Sequence, residues 1–121
     1  MKRLATAVGN VKLEKPGLVA SGILDETGPS MARMFSEGAG AVVSKSIGSV
    51  ATGGHANPNF IETGCWTMNA MGLPNPGIDA FAEEMEVATA AGKVVGSVYA
   101  SSPGEFASLA GKMEDYGATA V

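Results

Sequence analysis

Short apolar segments alternate with helical segments along most of this chain, and this alternation restricts the possible folds more than any other feature. Four segments have the length and composition of strands, at 17–22, 41–45, 93–100 and 118–121, and the first two are expected to be buried. Strands that are joined through helices pair in parallel with right-handed crossovers. The order therefore predicts an α/β protein built on a parallel sheet.

Three segments between these strands predict helices. The first should begin at a cap on Thr27 or Ser30 and end near Gly38. The second covers 77–92, and its expected buried face consists of Ile78, Phe81, Met85 and Ala88. The third follows 102–105, where Ser, Pro and Glu occupy the positions of a capping box.

Two regions lie outside this alternation. Residues 4–17, LATAVGNVKLEKPG, predict a short amino-terminal β-hairpin that turns at Gly9–Asn10. Residues 46–76 predict one long irregular segment. Loops of that length within a compact domain are usually functional or disordered.

Two parallel architectures fit the pattern: an open doubly wound sheet and a (β/α)8 TIM barrel. A whole barrel needs roughly 250 residues, so 1–121 would form a single partial domain, the amino-terminal half of a barrel. The dinucleotide-binding open sheet is disfavoured because no GxGxxG turn follows the first strand. The glycines at 38 and 40 follow a helix instead.

Composition excludes several classes of protein. The net charge is −4 and the pI is about 4.8, so a nucleic-acid partner is not expected. No apolar run approaches the roughly 20 residues of a membrane span. The single cysteine, Cys65, is expected to be buried and inert. One cysteine cannot form an internal disulfide, which suits a protein of the reducing cytoplasm. His55 is the only histidine and should be exposed, and no metal site is predicted because no other Cys or His ligands lie nearby in the sequence.

Ligands of parallel α/β proteins bind at the carboxyl ends of the strands. In this chain those ends are 20–22, Lys45–Ser46, 97–101 and whatever follows Val121. Lys45 directly follows an apolar strand, and two interpretations of it stay open. It is either a solvated lysine at a strand end or a cation that binds an anionic ligand.

The segment 67–77, TMNAMGLPNPG, combines two Asn, two Gly and two Pro with scattered apolar residues. A plain surface turn does not need the apolar side chains, and a helix does not tolerate the two prolines. The segment therefore predicts a polar, backbone-rich loop with apolar anchors, and what it holds stays open at this point. Pro74 and Pro76 limit the conformations that this loop can adopt.

Four motifs resemble the amino-terminal half of the dihydroorotate dehydrogenases, most closely the cytosolic class 1 enzymes: ASG at 20–22, SKS at 44–46, NPNFIET at 57–63 and NAMGLPNPG at 69–77. The resemblance covers nearly the whole chain. It implies an FMN-containing (β/α)8 barrel that oxidises dihydroorotate to orotate in pyrimidine biosynthesis. In that reaction a base removes a proton from C5, and hydride passes from C6 to the flavin.

The resemblance also implies roles for individual residues. Those expected to bind FMN are Ala20, Ser21, Lys45, Ser46 and Ser97, although many relatives have Asn in place of the last. Those expected to bind substrate are Lys45, Asn69, Ala70, Met71, Gly72 and Leu73. The catalytic base would lie beyond Val121, so no catalytic residue is assigned within the chain. The 121 residues alone are therefore expected to be inactive.

Partners follow from the resemblance in the same way. It implies dihydroorotate and orotate as ligands, a homo-oligomer, and an electron-transfer subunit that carries FAD and an iron–sulfur cluster. Two alternatives stay open: a flavoprotein resembling dihydropyrimidine dehydrogenase, and an inactive half-barrel that only binds or assembles.

Overall fold

Three parallel strands and three helices form the main body of the protein. The structure, a computed structural model, describes residues 4–121. The elements in chain order are β1 (Thr6–Val8), β2 (Val11–Leu13), β3 (Leu18–Val19), α1 (Gly28–Ser36), β4 (Ala41–Ile47), β5 (Phe60–Glu62), β6 (Thr67–Asn69), α2 (Ala82–Ala91), β7 (Val94–Val98) and α3 (Pro103–Asp115).

The main sheet has the order β3–β4–β7, and both pairings are parallel. A further parallel bridge joins Val95 to Ala120 on the outer side of β7. The prediction of an α/β protein with a parallel sheet is therefore confirmed. The segment 118–121, however, contributes only this bridge and does not form a full strand.

The first predicted strand is shorter and less buried than expected. β3 contains two residues and is hydrogen-bonded to β4 alone, and Leu18 is 44% exposed. A strand at the edge of a sheet has one neighbour, which explains the exposure. Residues 20–22 leave the sheet because the carboxylate of Asp25 accepts hydrogen bonds from the N–H of Gly22.

The core confirms the predicted face of the second helix. Ile78, Phe81, Met85 and Ala88 are all buried, although the regular helix begins only at Ala82. They pack in a cluster with residues of the sheet and of the other two helices: Met31, Val42, Ile47, Val94, Leu109 and Met113. The core thus fixes the helices against β4 and β7 and leaves the strand ends for the site.

The two predicted helix caps have different outcomes. Thr27 caps α1, and Ser30 completes a capping box. Ser102 caps α3, but the Glu105 carboxylate accepts hydrogen bonds from Ser101 and from the Ser49 hydroxyl. The bond from Ser49 is the main reason that the pKa of Glu105 is below its ordinary value. Glu105 therefore connects the segments that follow β4 and β7, and does not close a capping box.

Residues 46–76 are not uniformly irregular, and that prediction is wrong in two places. β4 extends to Ile47, and β5 pairs antiparallel with β6. The turn between β5 and β6 forms because the Thr63 hydroxyl accepts hydrogen bonds from the backbone N–H groups of Cys65 and Trp66. Cys65 lies in this turn and is exposed, so its predicted burial is also wrong.

At the amino terminus, β1 and β2 pair antiparallel around Gly9, whose φ is +56°. The side chain of Lys93, just before β7, donates a hydrogen bond to the backbone carbonyl of Lys12 in β2. Within residues 4–121, no helix is both long enough and apolar enough to cross a membrane.

Candidate functional site

Three serine hydroxyls form a row across the carboxyl ends of the parallel strands. The Oγ atoms of Ser46 and Ser97 lie 2.8 Å apart, and the Oγ atoms of Ser21 and Ser46 lie 3.5 Å apart. The three residues come from β3, β4 and β7 or the segments that directly follow them. The structure thus brings together three of the residues predicted from the sequence, with Ala20 exposed beside Ser21.

A bulge in β4 makes this row possible. The register between β4 and β7 shifts between Val43 and Ser46, so that Ser46 comes to lie opposite Ser97. The hydroxyl of Ser44 accepts a hydrogen bond from the N–H of Ser97 at 3.0 Å and satisfies a backbone group that the shift leaves without a ladder partner. Bulges are common next to active sites because they redirect side chains.

Lys45 is not a solvated surface lysine, since its side chain is only 12% exposed. Its Nζ donates to the carbonyl of Gly22 at 3.1 Å and to Oε1 of Glu26 at 3.2 Å. Glu26 is 47% exposed, so this ion pair is accessible to solvent. An anionic ligand at this position would compete with Glu26 for the ammonium group.

Asp25 holds this arrangement together, and the sequence analysis did not identify it. Its carboxylate accepts the N–H of Gly22 at 2.8 and 2.9 Å, and its backbone carbonyl accepts the N–H of Lys45 at 3.1 Å. Asp25 is fully buried. Burial raises the pKa of its carboxyl above the ordinary 3.8, although the Gly22 hydrogen bonds and the charge of Lys45 act in the opposite direction. The only sequence signal was an acidic residue three positions after a glycine.

The raised pKa of Asp25 predicts a pH effect on stability. A carboxyl whose pKa is higher in the folded state favours folding while it is protonated, and it loses that contribution as pH rises through the folded-state pKa. Asp25→Asn keeps one acceptor for Gly22 and removes the titration. We therefore expect the stability of the unmodified protein, relative to the variant, to fall as pH rises from 3.8 upward. Urea unfolding of both forms across that range measures this difference, and a constant difference would contradict the prediction.

The predicted substrate loop, 69–73, is held by the segment 54–59. The N–H of His55 donates to the carbonyl of Met71 at 3.0 Å, and the N–H of Ala70 donates to the carbonyl of Asn59 at 2.8 Å. The Nδ1 of His55 lies 3.0 Å from the carbonyl of Ala70. His55 is exposed, as predicted, but its contacts also position the loop.

The backbone of this loop adopts conformations that few residues tolerate. Gly72 has a φ of +76°, and a Cβ there would lie 2.7 Å from the backbone nitrogen of His55. Leu73 has a φ of +51°, although it is not a glycine, and its side chain is 49% exposed. Burial of the leucine does not account for the strain, and strained backbone of this kind is concentrated at functional sites.

Several donors on the loop have no partner within residues 4–121. The side-chain amide of Asn69 makes no hydrogen bond there, and the N–H groups of Met71, Gly72 and Leu73 donate none. Asn69 terminates β6 rather than lying in an irregular loop, and it is exposed. The loop can therefore offer an amide and three N–H donors to a ligand.

Two clefts lie beside residues of the candidate site, one at Lys45 and the other at Ser97. One, of about 340 Å³, is lined by Lys45, by Pro74–Pro76 of the motif, and by residues near α1 and α2: Glu26, Thr27, Ala80 and Glu84. The other, of about 610 Å³, includes Ser97 among mostly apolar residues of β7 and α3. Residues 69–73 line neither cleft. The structure thus brings Lys45 close to the end of the motif but does not enclose the whole predicted site.

Two further residues of this region were missed by the sequence analysis. The buried side chain of Asn75 is hydrogen-bonded to the hydroxyl of Tyr99, just after β7, and to the carbonyl of Leu73. Asn75 lies in the quoted motif, but nothing in the sequence indicated that Tyr99 approaches it. Across residues 4–121, no group of three or more His, Cys, Asp or Glu residues could hold a metal ion.

These features define a class of protein: a parallel α/β protein with a candidate small-molecule site at the carboxyl ends of its strands. Comparison with known proteins identifies the family, because the family model described as dihydroorotate dehydrogenase matches residues 3–121. The chain belongs to the dihydroorotate dehydrogenase family.

Curated relatives agree with this assignment. The chain is 48% identical to the protein named dihydroorotate dehydrogenase B (NAD(+)), catalytic subunit, of Thermoplasma acidophilum, over 100% of the chain and 41% of the relative. The proteins of the same name from Methanocaldococcus jannaschii and Pyrococcus furiosus are 42% and 45% identical, over 93% and 88% of the chain. The chain covers 39% and 36% of their lengths. It therefore spans about two fifths of the relatives that it matches.

Proposed function

We propose that this chain forms the amino-terminal part of an FMN-dependent dihydroorotate dehydrogenase of pyrimidine biosynthesis. The complete enzyme is this chain extended to the full length of its relatives, of which it spans about two fifths. In the complete enzyme, residues of this chain bind the flavin and the substrate. The base that removes the C5 proton is supplied by the remainder, and the 121 residues alone do not catalyse the reaction.

The row formed by Ser21, Ser46 and Ser97 is the main support for an FMN site. Hydroxyls can both donate and accept hydrogen bonds, which matches the alternating donors and acceptors along the edge of a flavin ring. Small side chains, with Ala20 beside them, leave room for a flat ring system at the strand ends. FMN, when bound, supplies the acceptor for the hydride.

The donors on the loop support a planar, anionic pyrimidine as substrate. An amide such as that of Asn69 offers both a donor and an acceptor to a uracil-like edge. The N–H groups of Met71, Gly72 and Leu73 can bind a carboxylate without adding charge, and Ala70 connects them to Asn69. Lys45, which is largely buried, supplies the positive charge that balances a carboxylate.

In the proposed reaction the substrate loses a proton from C5 and a hydride from C6, and a C–C double bond forms. This chain's residues orient the ring so that C6 faces the hydride acceptor, and they hold the carboxylate still. Positioning of this kind contributes several kcal/mol to catalysis, up to about 7–11 kcal/mol in favourable cases.

The name of the relatives supports a proposal about partners. A catalytic subunit of an NAD(+)-dependent enzyme needs a route from the flavin to NAD⁺. We propose an electron-transfer subunit that carries FAD and an iron–sulfur cluster, within a homo-oligomer in the cytoplasm.

Asn69→Ala tests the substrate site. In the complete enzyme, the variant should keep its FMN but raise the KM for dihydroorotate, because a polar edge of the substrate loses its partner. Leaving a polar group unpaired costs about 1–3 kcal/mol, which corresponds to roughly a 5- to 150-fold change. Steady-state kinetics and flavin absorbance measure both quantities.

Asn10→Ala provides the matched control, because Asn10 lies in the turn between β1 and β2 and not at the carboxyl ends of the parallel strands. It should leave the KM within about twofold of the unmodified value. A complete enzyme that binds FMN but does not oxidise dihydroorotate would refute the proposed function. An unchanged KM in Asn69→Ala would refute only the role of that residue.

A further inference from the structure

The side chain of Asn75 uses its full hydrogen-bonding capacity. Its Oδ1 accepts the N–H groups of Gly48 and Gly77 at 3.2 and 2.9 Å. Its Nδ2 donates to the carbonyl of Leu73 and to the hydroxyl of Tyr99, both at 2.9 Å. An amide can accept two hydrogen bonds and donate two, and this buried amide makes all four.

These four bonds join elements that are far apart in the sequence. Gly48 directly follows β4, and Tyr99 directly follows β7. The backbone of Asn75 also exchanges two hydrogen bonds of 2.9 Å with Thr52. The hub formed by Asn75 and Tyr99 therefore connects the ends of two core strands to the loop that contains Leu73.

The hub fixes one end of the segment 71–73, and His55 fixes the other. The carbonyl of Leu73 is held by Asn75, and the carbonyl of Met71 is held by the N–H of His55 at 3.0 Å. Gly72 lies between these anchors, and both Gly72 and Leu73 have positive φ. With both flanking carbonyls held, the three N–H groups of the segment have little freedom to reorient.

We propose that Asn75 and Tyr99 are positioning residues that set the direction of the N–H groups of 71–73 toward the carboxylate of the substrate. This inference rests on the proposed function and adds two residues to it. Neither side chain touches the substrate. They act by holding the strained backbone at Leu73, which would otherwise relax out of the positive-φ region.

A role limited to stability would lower the thermal midpoint without changing the affinity for a carboxylate. The tests are Asn75→Asp and Tyr99→Phe in the complete enzyme with FMN bound. Asn75→Asp keeps the acceptors for Gly48 and Gly77 but replaces the donor that holds Leu73 with an oxygen. Tyr99→Phe removes only the hydroxyl that accepts from Asn75, so it disturbs folding less.

Titration calorimetry with orotate measures the affinity directly, and thermal unfolding measures the stability. We expect Asn75→Asp to weaken orotate binding by about 10- to 100-fold and Tyr99→Phe by about 3- to 10-fold, with FMN retained. The KM for dihydroorotate should rise more than kcat falls. Tyr116→Phe, a change in a tyrosine at the end of α3 that packs against the core, is the control and should leave orotate affinity unchanged.

The two possible failures are distinguishable. If the unmodified complete enzyme binds FMN but neither binds orotate nor oxidises dihydroorotate, the proposed function fails, and this inference fails with it. If the unmodified enzyme binds orotate and both variants bind it equally well, only the inference is overturned. If Asn75→Asp does not fold, Tyr99→Phe decides alone.

Discussion

Replacing Lys45 with alanine in the complete enzyme should slow the reduction of bound flavin by dihydroorotate about 10²–10³-fold, a loss typical of removing one electrostatic group from a catalytic site. The side chain is only 12% exposed and lies at the end of β4. A largely buried charge is screened by water less than a fully exposed one. Its removal should affect both the binding of the substrate carboxylate and the charge redistribution that accompanies hydride transfer.

Arginine should not restore the rate. The ammonium of Lys45 fits between the carbonyl of Gly22 and the carboxylate of Glu26, at 3.1 and 3.2 Å. A planar guanidinium is larger and places its donors in a fixed fork, so it cannot replace a compact ammonium in the same space. We therefore expect Lys45→Arg to retain the positive charge but recover only a small part of the lost rate.

Single-turnover bleaching of the flavin at saturating dihydroorotate is the decisive measurement, because it separates the chemical step from product release. Lys112→Ala is the matched control. Lys112 forms an ion pair with Asp79 at the surface and is 41% exposed. Its loss should leave bleaching unchanged, although it breaks an ion pair. Equal bleaching rates in Lys45→Ala and the unmodified enzyme would show that Lys45 has no role beyond structure.

Local patterns in the sequence were sufficient to predict the parallel α/β body. The spacing of Ile78, Phe81, Met85 and Ala88 predicted a buried face because the hydrophobic period of a helix depends only on near neighbours. The cap at Thr27 was predictable for the same reason, since its partner Ser30 is three residues away. The TIM barrel itself remains a prediction, because 4–121 contain only three strands of its sheet and one further bridge.

Features that depend on distant partners were not predictable in this way. Glu105 has the spacing of a capping box, but its carboxylate accepts a hydrogen bond from the hydroxyl of Ser49, which is 56 positions away in the sequence. Cys65 was expected to be buried from its residue type, yet a turn held by Thr63 exposes it. The error at Glu105 arises because a tertiary contact overrides a local preference. The error at Cys65 arises from a local turn, since Thr63 is only two positions away.

In the candidate site, too, some residues were predictable from the sequence and others became apparent only from their partners in the fold. Ser21, Ser46 and Ser97 were predicted individually, and they are adjacent in the structure because parallel strands end at the same edge of a sheet. Their assignment to FMN remains a prediction. Asp25 and Asn75 escaped detection because buried polar groups are recognised by their partners, which only the fold supplies.

Replacing Gly72 with alanine should be the most damaging small change in the substrate loop. A Cβ at this position would lie 2.7 Å from the backbone nitrogen of His55, and the φ of +76° is unfavourable for alanine. His55 cannot move away without losing its hydrogen bond to the carbonyl of Met71. The loop must therefore shift, and with it the N–H groups proposed to bind the carboxylate.

A displacement of about 1 Å at a positioning element can reduce catalysis about 10²-fold, so we expect a loss of that size in kcat/KM for dihydroorotate in the complete enzyme. Gly64→Ala is the matched control, since a Cβ at Gly64 would meet nothing within 4 Å. It should retain kcat/KM within about twofold. Because no hydrogen bond joins Gly72 to the hydroxyl row, Gly72→Ala should still bind FMN, which flavin absorbance after gel filtration would verify. Full activity in Gly72→Ala would mean that the loop tolerates displacement, and that the N–H groups of 71–73 do not bind the carboxylate.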